Sequence, residues 1–337
     1  MQRWSGFFGK ALLIAGAVMG GLPAYAQGSQ PGSDPALRTV RSLLATPEAE
    51  LDLAKAKLTI DHLIDPQVNV SRTLMQLDAM AAQVKAQLPA DANSRAKLVT
   101  LMSYLYRPDP SSGQRPFSYD LDDPFGKNIQ NKLLTTYLTT RKGNCVSMPV
   151  LFVILAQKIG LDATLSTAPA HVLAKFRDDD GRLVNVENTS VGTKSDSSYA
   201  RDMGITEKAL QSGIYLRQLS KRESVVVMTG TLMEVYGKQH QQANRIAVAD
   251  LALRADPRYV EAMLQKGSAY FRLLEEQYLS KYPSVAQIPP EQREAVETLD
   301  RNGALWFNKA ETLGWRHPDQ VQDARYQQSI QRAKTKQ

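Results

Sequence analysis

The chain has 337 residues, a net charge of +7, 43% apolar and 22% charged side chains, and one cysteine. Such a composition buries a core and leaves room for two domains. The basic residues are scattered, without a run and without aromatic interleaving, so no nucleic-acid partner is expected.

Arg3 and Lys10 flank a basic start, Ala11 to Leu22 is apolar, and Pro23-Ala24-Tyr25-Ala26 ends in an Ala-x-Ala cleavage signal. The apolar run is too short to span a bilayer. Residues 1–26 therefore read as a secretory signal cut after Ala26, and the mature chain as periplasmic or secreted, with no membrane span left. Export gives weight to the lone Cys145, which has no partner for an internal disulfide.

Residues 27–45 are expected to be a flexible lead-in, rich in Gly, Ser and Pro up to Pro35, with helical patterning starting after it. Thr46-Pro47-Glu48 has the cap and first-turn proline of a helix start, and the pattern runs to a break at Asp65-Pro66. Val70 to Leu88 predicts a second helix, with Leu74, Leu77, Met80, Ala81 and Val84 on one face; a third starts at Ser94 and ends near Arg107-Pro108. Residues 109–127 lack periodicity and carry Asp120, Asp122 and Asp123. They read as a surface loop, or in a sharper reading as a loop lining a site; their spacing matches no calcium loop.

Leu133 to Leu138 predicts a short helix, broken at Lys142-Gly143-Asn144. The helix from about Cys145 to Gly160 is apolar all round, so it is expected at the centre of the core. The period then changes to two: strands at Ala163–Thr167, His171–Phe176 and Leu183–Thr189, with Asp178-Asp179-Asp180-Gly181 as a hairpin turn. In the last strand Asn185 and Glu187 share a face. From Val225 the pattern is helical. Tyr236, Ala252 and Asp256-Pro257 fall at the spacing of a helix-turn-helix repeat of about 34 residues, followed by two degenerate copies that include Trp306, Phe307 and Trp315. The expected division is 46–222 for a mixed domain and 223–337 for a helical one, an α+β fold overall.

The chemistry concentrates between Gly143 and Ser190. A thiol attacks as thiolate, and a helix N-terminus favours that anion. Gly143 is read as allowing a tight turn and the approach of a substrate, and the Cys145 N–H as a candidate oxyanion donor. His171 is the candidate base, and Glu187, sixteen residues later on the next strand, would orient it, with Asn185 as the alternative. His62, His240 and His317 lack ligand spacing, so no metal or other cofactor is expected.

Gly143-Asn144-Cys145 before an apolar helix, then Ala170-His171-Val172-Leu173, then Val184-Asn185-Val186-Glu187-Asn188-Thr189, resembles the transglutaminase-like superfamily. Glu187 stands where that family usually has Asp. Leu77-Asp78-Ala79-Met80-Ala81 resembles the leading part of its bacterial SirB1-like branch, in which tetratricopeptide-like repeats often follow the core. The resemblance implies a central helix packed on a small antiparallel sheet, with Cys145, His171 and Glu187 as the catalytic residues. It implies a thioester acyl-enzyme formed from a peptide or protein, with a cell-envelope peptide as one such substrate. Release by water makes a peptidase or amidase, and release by an amine makes a transamidase. Asn128, Gln130 and Asn131 stand where papain-like enzymes place an oxyanion donor. A competing reading is a non-catalytic scaffold that binds a protein partner through the C-terminal repeats.

Overall fold

Helix α1 (Pro35–Ala45) begins where a lead-in was expected. The Asp34 carboxylate accepts the Ala36 N–H, Pro35 opens the first turn, and Leu37, Val40 and Leu44 recur at helical spacing on the buried side. Residues 35–45 are thus helical rather than part of the flexible segment. The chain is described here by a computed structural model covering residues 34–108, 113 and 115–317. The expected signal segment and the polar end of the chain lie outside those residues.

Thr46-Pro47 does not open a long helix. A single 3-10 turn, Glu48–Glu50, follows it, and α2 (Leu53–Ile64) starts later under the Asp52 cap. Glu48 is used elsewhere: its carboxylate accepts the Arg222 N–H at 3.2 Å and the Lys221 N–H. Helices α3 (Val70–Ala86) and α4 (Ser94–Tyr106) match the apolar periodicity and are capped by Asn69 and Asn93. A two-residue strand β1 (Ser118–Tyr119), a 3-10 turn Ile129–Lys132, α5 (Leu134–Thr140) and β2 (Lys142–Gly143) lead to the cysteine. β1 and β2 pair in parallel.

Helix α6 (Ser147–Lys158) is buried from Ser147 to Ala156, which explains why no polar face is legible in it. Four antiparallel strands follow in sheet order: β3 (Ala163–Ala168), β4 (His171–Arg177), β5 (Leu183–Glu187) and β6 (Gly192–Lys194). The Asp178–Gly181 turn forms as expected, with Gly181 at φ +82°. Asp179 also accepts the Ser94 N–H at 3.0 Å, which ties the turn to the start of α4. Two short helices, α7 (Asp196–Asp202) and α8 (Glu207–Gln211), precede four consecutively packed ones: α9 (Lys221–Lys238), α10 (Gln242–Ala255), α11 (Val260–Leu274) and α12 (Pro290–Thr312). Among the described residues, the larger apolar core runs from Leu37 through α6 and the sheet to Met263 and Trp315, and a smaller one gathers Leu274, Ile288, Val296 and Leu299. No described helix is long and apolar enough to cross a membrane.

Candidate active site

Cys145 lies in the turn two residues ahead of α6, not in its first turn. Asn144 shapes that turn. Its side-chain oxygen accepts the Val146 N–H at 2.9 Å and the Ser147 N–H at 3.2 Å, while its backbone N–H donates to Ser147 Oγ at 3.1 Å. Asn144 thus takes up the Ser147 N–H that opens α6 and the Val146 N–H just ahead of it, while Ser147 Oγ takes up the Asn144 N–H. The Asn144 amide and the Ser147 hydroxyl both donate to the Asn131 carbonyl, each at 3.2 Å, anchoring the turn to the segment upstream.

Gly143 has a reason the sequence did not disclose. Its φ is not positive, and it is buried. A Cβ there would fall 2.5 Å from the Tyr137 ring and 2.9 Å from Met148. The missing side chain makes room for Tyr137, so the expectation of a tight turn open to substrate is replaced by close packing.

His171 opens β4 straight after a two-residue turn, Pro169-Ala170, in which Ala170 sits at φ +50°. A left-handed alanine costs about 1 kcal/mol, which the flanking strand pairs must offset. His171 Nε2 lies 3.2 Å from Glu187 Oε2, and Cys145 is near enough to the same ring to favour its charged form. Burial works to lower the His171 pKa, but hydrogen bonds and charge from Cys145 and Glu187 outweigh it and push it up to about 10. Burial likewise works to raise Glu187. The His171 hydrogen bond and charge, with hydrogen bonds from Thr189 and Tyr199, overcome it and lower its pKa to about 2. Both shifts favour the charged pair, an imidazolium beside a carboxylate.

Glu187 is held on every side. Thr189 donates to Oε1 through its N–H at 3.0 Å and its hydroxyl at 2.6 Å, and the Tyr199 hydroxyl donates to Oε2. Tyr199, on α7, is 1% exposed, with its ring 6.2 Å from that of His171. Sequence reasoning missed it. The Ser195 cap three residues ahead of Ser198 signals the helix, but nothing local signals where the tyrosine points.

Other expected residues lie elsewhere. Asn185 shares the Glu187 face but donates to the Lys194 carbonyl at 2.9 Å and to Asp196 at 2.6 Å, so it does not serve His171. Asn131 gives its amide to Asp120 and Asp123, at 3.2 and 2.9 Å, and Asn128 caps the turn at Gln130. Gln130 is exposed. Asp120 and Asp123 thus brace the cysteine turn through Asn131. His62 bonds the Val68 carbonyl and His240 bonds Glu276. Among the described residues, no three His, Cys, Asp or Glu side chains are grouped as metal ligands are.

Comparison with known proteins supplies the frame for this geometry. Residues 71–229 match the family model of the transglutaminase-like superfamily. The matched stretch takes in the cysteine turn, α6 and the whole four-stranded sheet, and ends inside α9. Two relatives, each called UPF0162 protein, come from Xylella fastidiosa. That of strain 9a5c is 23% identical over 263 residues, 73% of this chain and 90% of the relative. That of strain Temecula1 is 24% identical over 264 residues, 73% of this chain and 89% of the relative. No solved structure gives a significant match.

Proposed function

We propose that this chain is an exported cysteine hydrolase that cleaves an amide bond in a peptide or protein through a thioester acyl-enzyme. The observation that carries the reading is the His171–Glu187 pair, 3.2 Å apart, with Cys145 acting on the same ring. Cys145 attacks as thiolate, its sulfur bonding to the substrate carbonyl carbon while the oxygen takes up the negative charge. The Cys145 N–H, beside the start of α6, is read as the donor to that oxyanion. His171 then passes its proton to the leaving nitrogen as the C–N bond breaks. Water gives a proton to His171 and its oxygen to the carbonyl carbon, and the sulfur departs. Glu187 keeps the imidazolium stable throughout.

The family match supports a cysteine hydrolase or transferase, and the Ala24-Tyr25-Ala26 signal supports a periplasmic or secreted enzyme. We assign the chain to the SirB1-like branch on Leu77-Asp78-Ala79-Met80-Ala81, and read the consecutive packing of α9 to α12 as tetratricopeptide-like, a surface for a protein partner.

Alkylation by iodoacetamide tests the reading. At pH 6 Cys145 should react about tenfold or more faster than a free thiol, and His171→Ala should remove the advantage. Equal rates in the wild type, the variant and a free thiol would sink the proposal. Adding an amine to a turnover assay separates hydrolysis, in which it stays out of the product, from transamidation.

A further inference from the structure

Glu187 has lost most of its water, and its charge depends on donors from the protein. Its side chain is 12% exposed, and two hydroxyls reach it from different elements: Thr189 on Oε1 and Tyr199 on Oε2. The Tyr199 hydroxyl shares its oxygen with His171 Nε2. The geometry points to Tyr199 as a positioning residue of this site: its hydroxyl, delivered from α7, holds the Glu187 carboxylate charged and aimed at His171, with Thr189 doing the same at the other oxygen. The inference rests on the thiol-enzyme reading only in treating His171 as the working base.

The supporting structure is built around this contact. Tyr199 is buried, and the Lys194 ammonium sits 4.6 Å over its ring. Ser195 caps the N-terminus of α7, and Asp196 beside it is paired with the buried Lys175. Burial, then the Glu187 charge and hydrogen bond, then the Asp196 charge raise the Tyr199 pKa, so the hydroxyl remains a donor. The other groups facing Glu187 are His171, with Cys145 behind it, and Tyr106 of α4. Burial raises the Tyr106 pKa, as does the Glu187 charge. No other hydroxyl is bonded to Oε2 among the described residues, so Tyr199→Phe leaves that oxygen with His171 alone.

The test uses the full chain with 15N-labelled histidine, the His171 ring resonances being assigned by their loss in His171→Gln. Their acid-side inflection reports protonation of Glu187. Tyr199→Phe should raise that inflection by about one pH unit, the scale of one hydrogen bond to a charged group, with an unchanged circular dichroism spectrum at pH 7. Thr189→Val should move it the same way, and it carries the test if Tyr199→Phe does not fold. In a Glu187→Gln background the inflection should vanish with or without Tyr199→Phe. An unmoved inflection in folded Tyr199→Phe overturns the inference, as does a shift that persists without the carboxylate. The same shift is expected in Cys145→Ser. An unreactive Cys145 in the alkylation assay would therefore sink the hydrolase reading and leave this result standing.

Discussion

Glu187 is one methylene longer than the aspartate that the transglutaminase-like resemblance would put there, and the strand register gives that length a use. Ala174 pairs with Val186, so continuing by one residue sets Glu187 beside Leu173 and diagonal to His171. Diagonal neighbours sit about 7–8 Å apart, a span that a longer acid bridges more readily. The pair also links stability to pH. The His171 pKa is raised from 6.5 to about 10, so its contribution is whole below pH 6.5 and is lost as pH climbs through about 10. The Glu187 pKa is lowered from 4.5 to about 2, so its contribution is whole above pH 4.5 and is lost as pH falls through about 2. Wild type should exceed Glu187→Gln in unfolding free energy by about 2 kcal/mol between those windows. Denaturant titrations at pH 5.5 and at pH 10 check this: the gap should be largest at the first and nearly closed at the second.

Among elements, the segment from β1 to α6 matters most, because it fixes the cysteine. Asp120 N–H donates to the Gly143 carbonyl at 2.7 Å, and Phe117 packs edge-on to Tyr137 at 5.0 Å. Beneath it, Lys57 and Asp61 form a fully buried ion pair on α2. Lys57 also donates to the Lys132 carbonyl at 2.9 Å, and Asp61 accepts the Leu134 N–H at 2.8 Å, which caps α5 from another helix. Gly143→Ala should force Tyr137 or Met148 aside, cost about 1–3 kcal/mol, and slow Cys145 alkylation by displacing the turn. Thermal melting and alkylation rates together read this out. A variant with wild-type values for both would show that the close packing does not set the thiol's position.

On the scale of the molecule, α9 joins what the sequence divides at residue 222. It buries Ser224 to Met233 and packs on α1, α2 and β3. Arg217 bridges Glu223 at 2.7 Å and also pairs with Asp256, while Lys132 reaches Glu234. Beyond α12 the chain returns to the mixed domain: Thr206 and Ser212 donate to the Gly314 and Leu313 carbonyls at 2.8 and 2.7 Å. Each large apolar side chain buried contributes about 1.5–3 kcal/mol, and a fold has only about 5–15 in hand. A chain of residues 34–222 should therefore lack a cooperative melt, whereas the full chain should have one. A sharp transition in the shorter chain would establish two independent domains.

The sequence by itself determined the helix and strand periodicity of the central stretch, the order of Cys145, His171 and Glu187, and the two-strand spacing that lets the last two meet. Those are local patterns: apolar period, turn chemistry and residue offset all act over a few positions. Only the tertiary structure decided the rest. Pro35–Ala45 is a helix because its apolar stripe finds the core. Asn131 is spent on Asp120 and Asp123 rather than on an oxyanion. Gly143 answers to Tyr137, and Tyr199 arrives on Glu187 from a separate helix. Each of these depends on which distant group takes up a donor, an acceptor or a volume, and no offset along the chain encodes that.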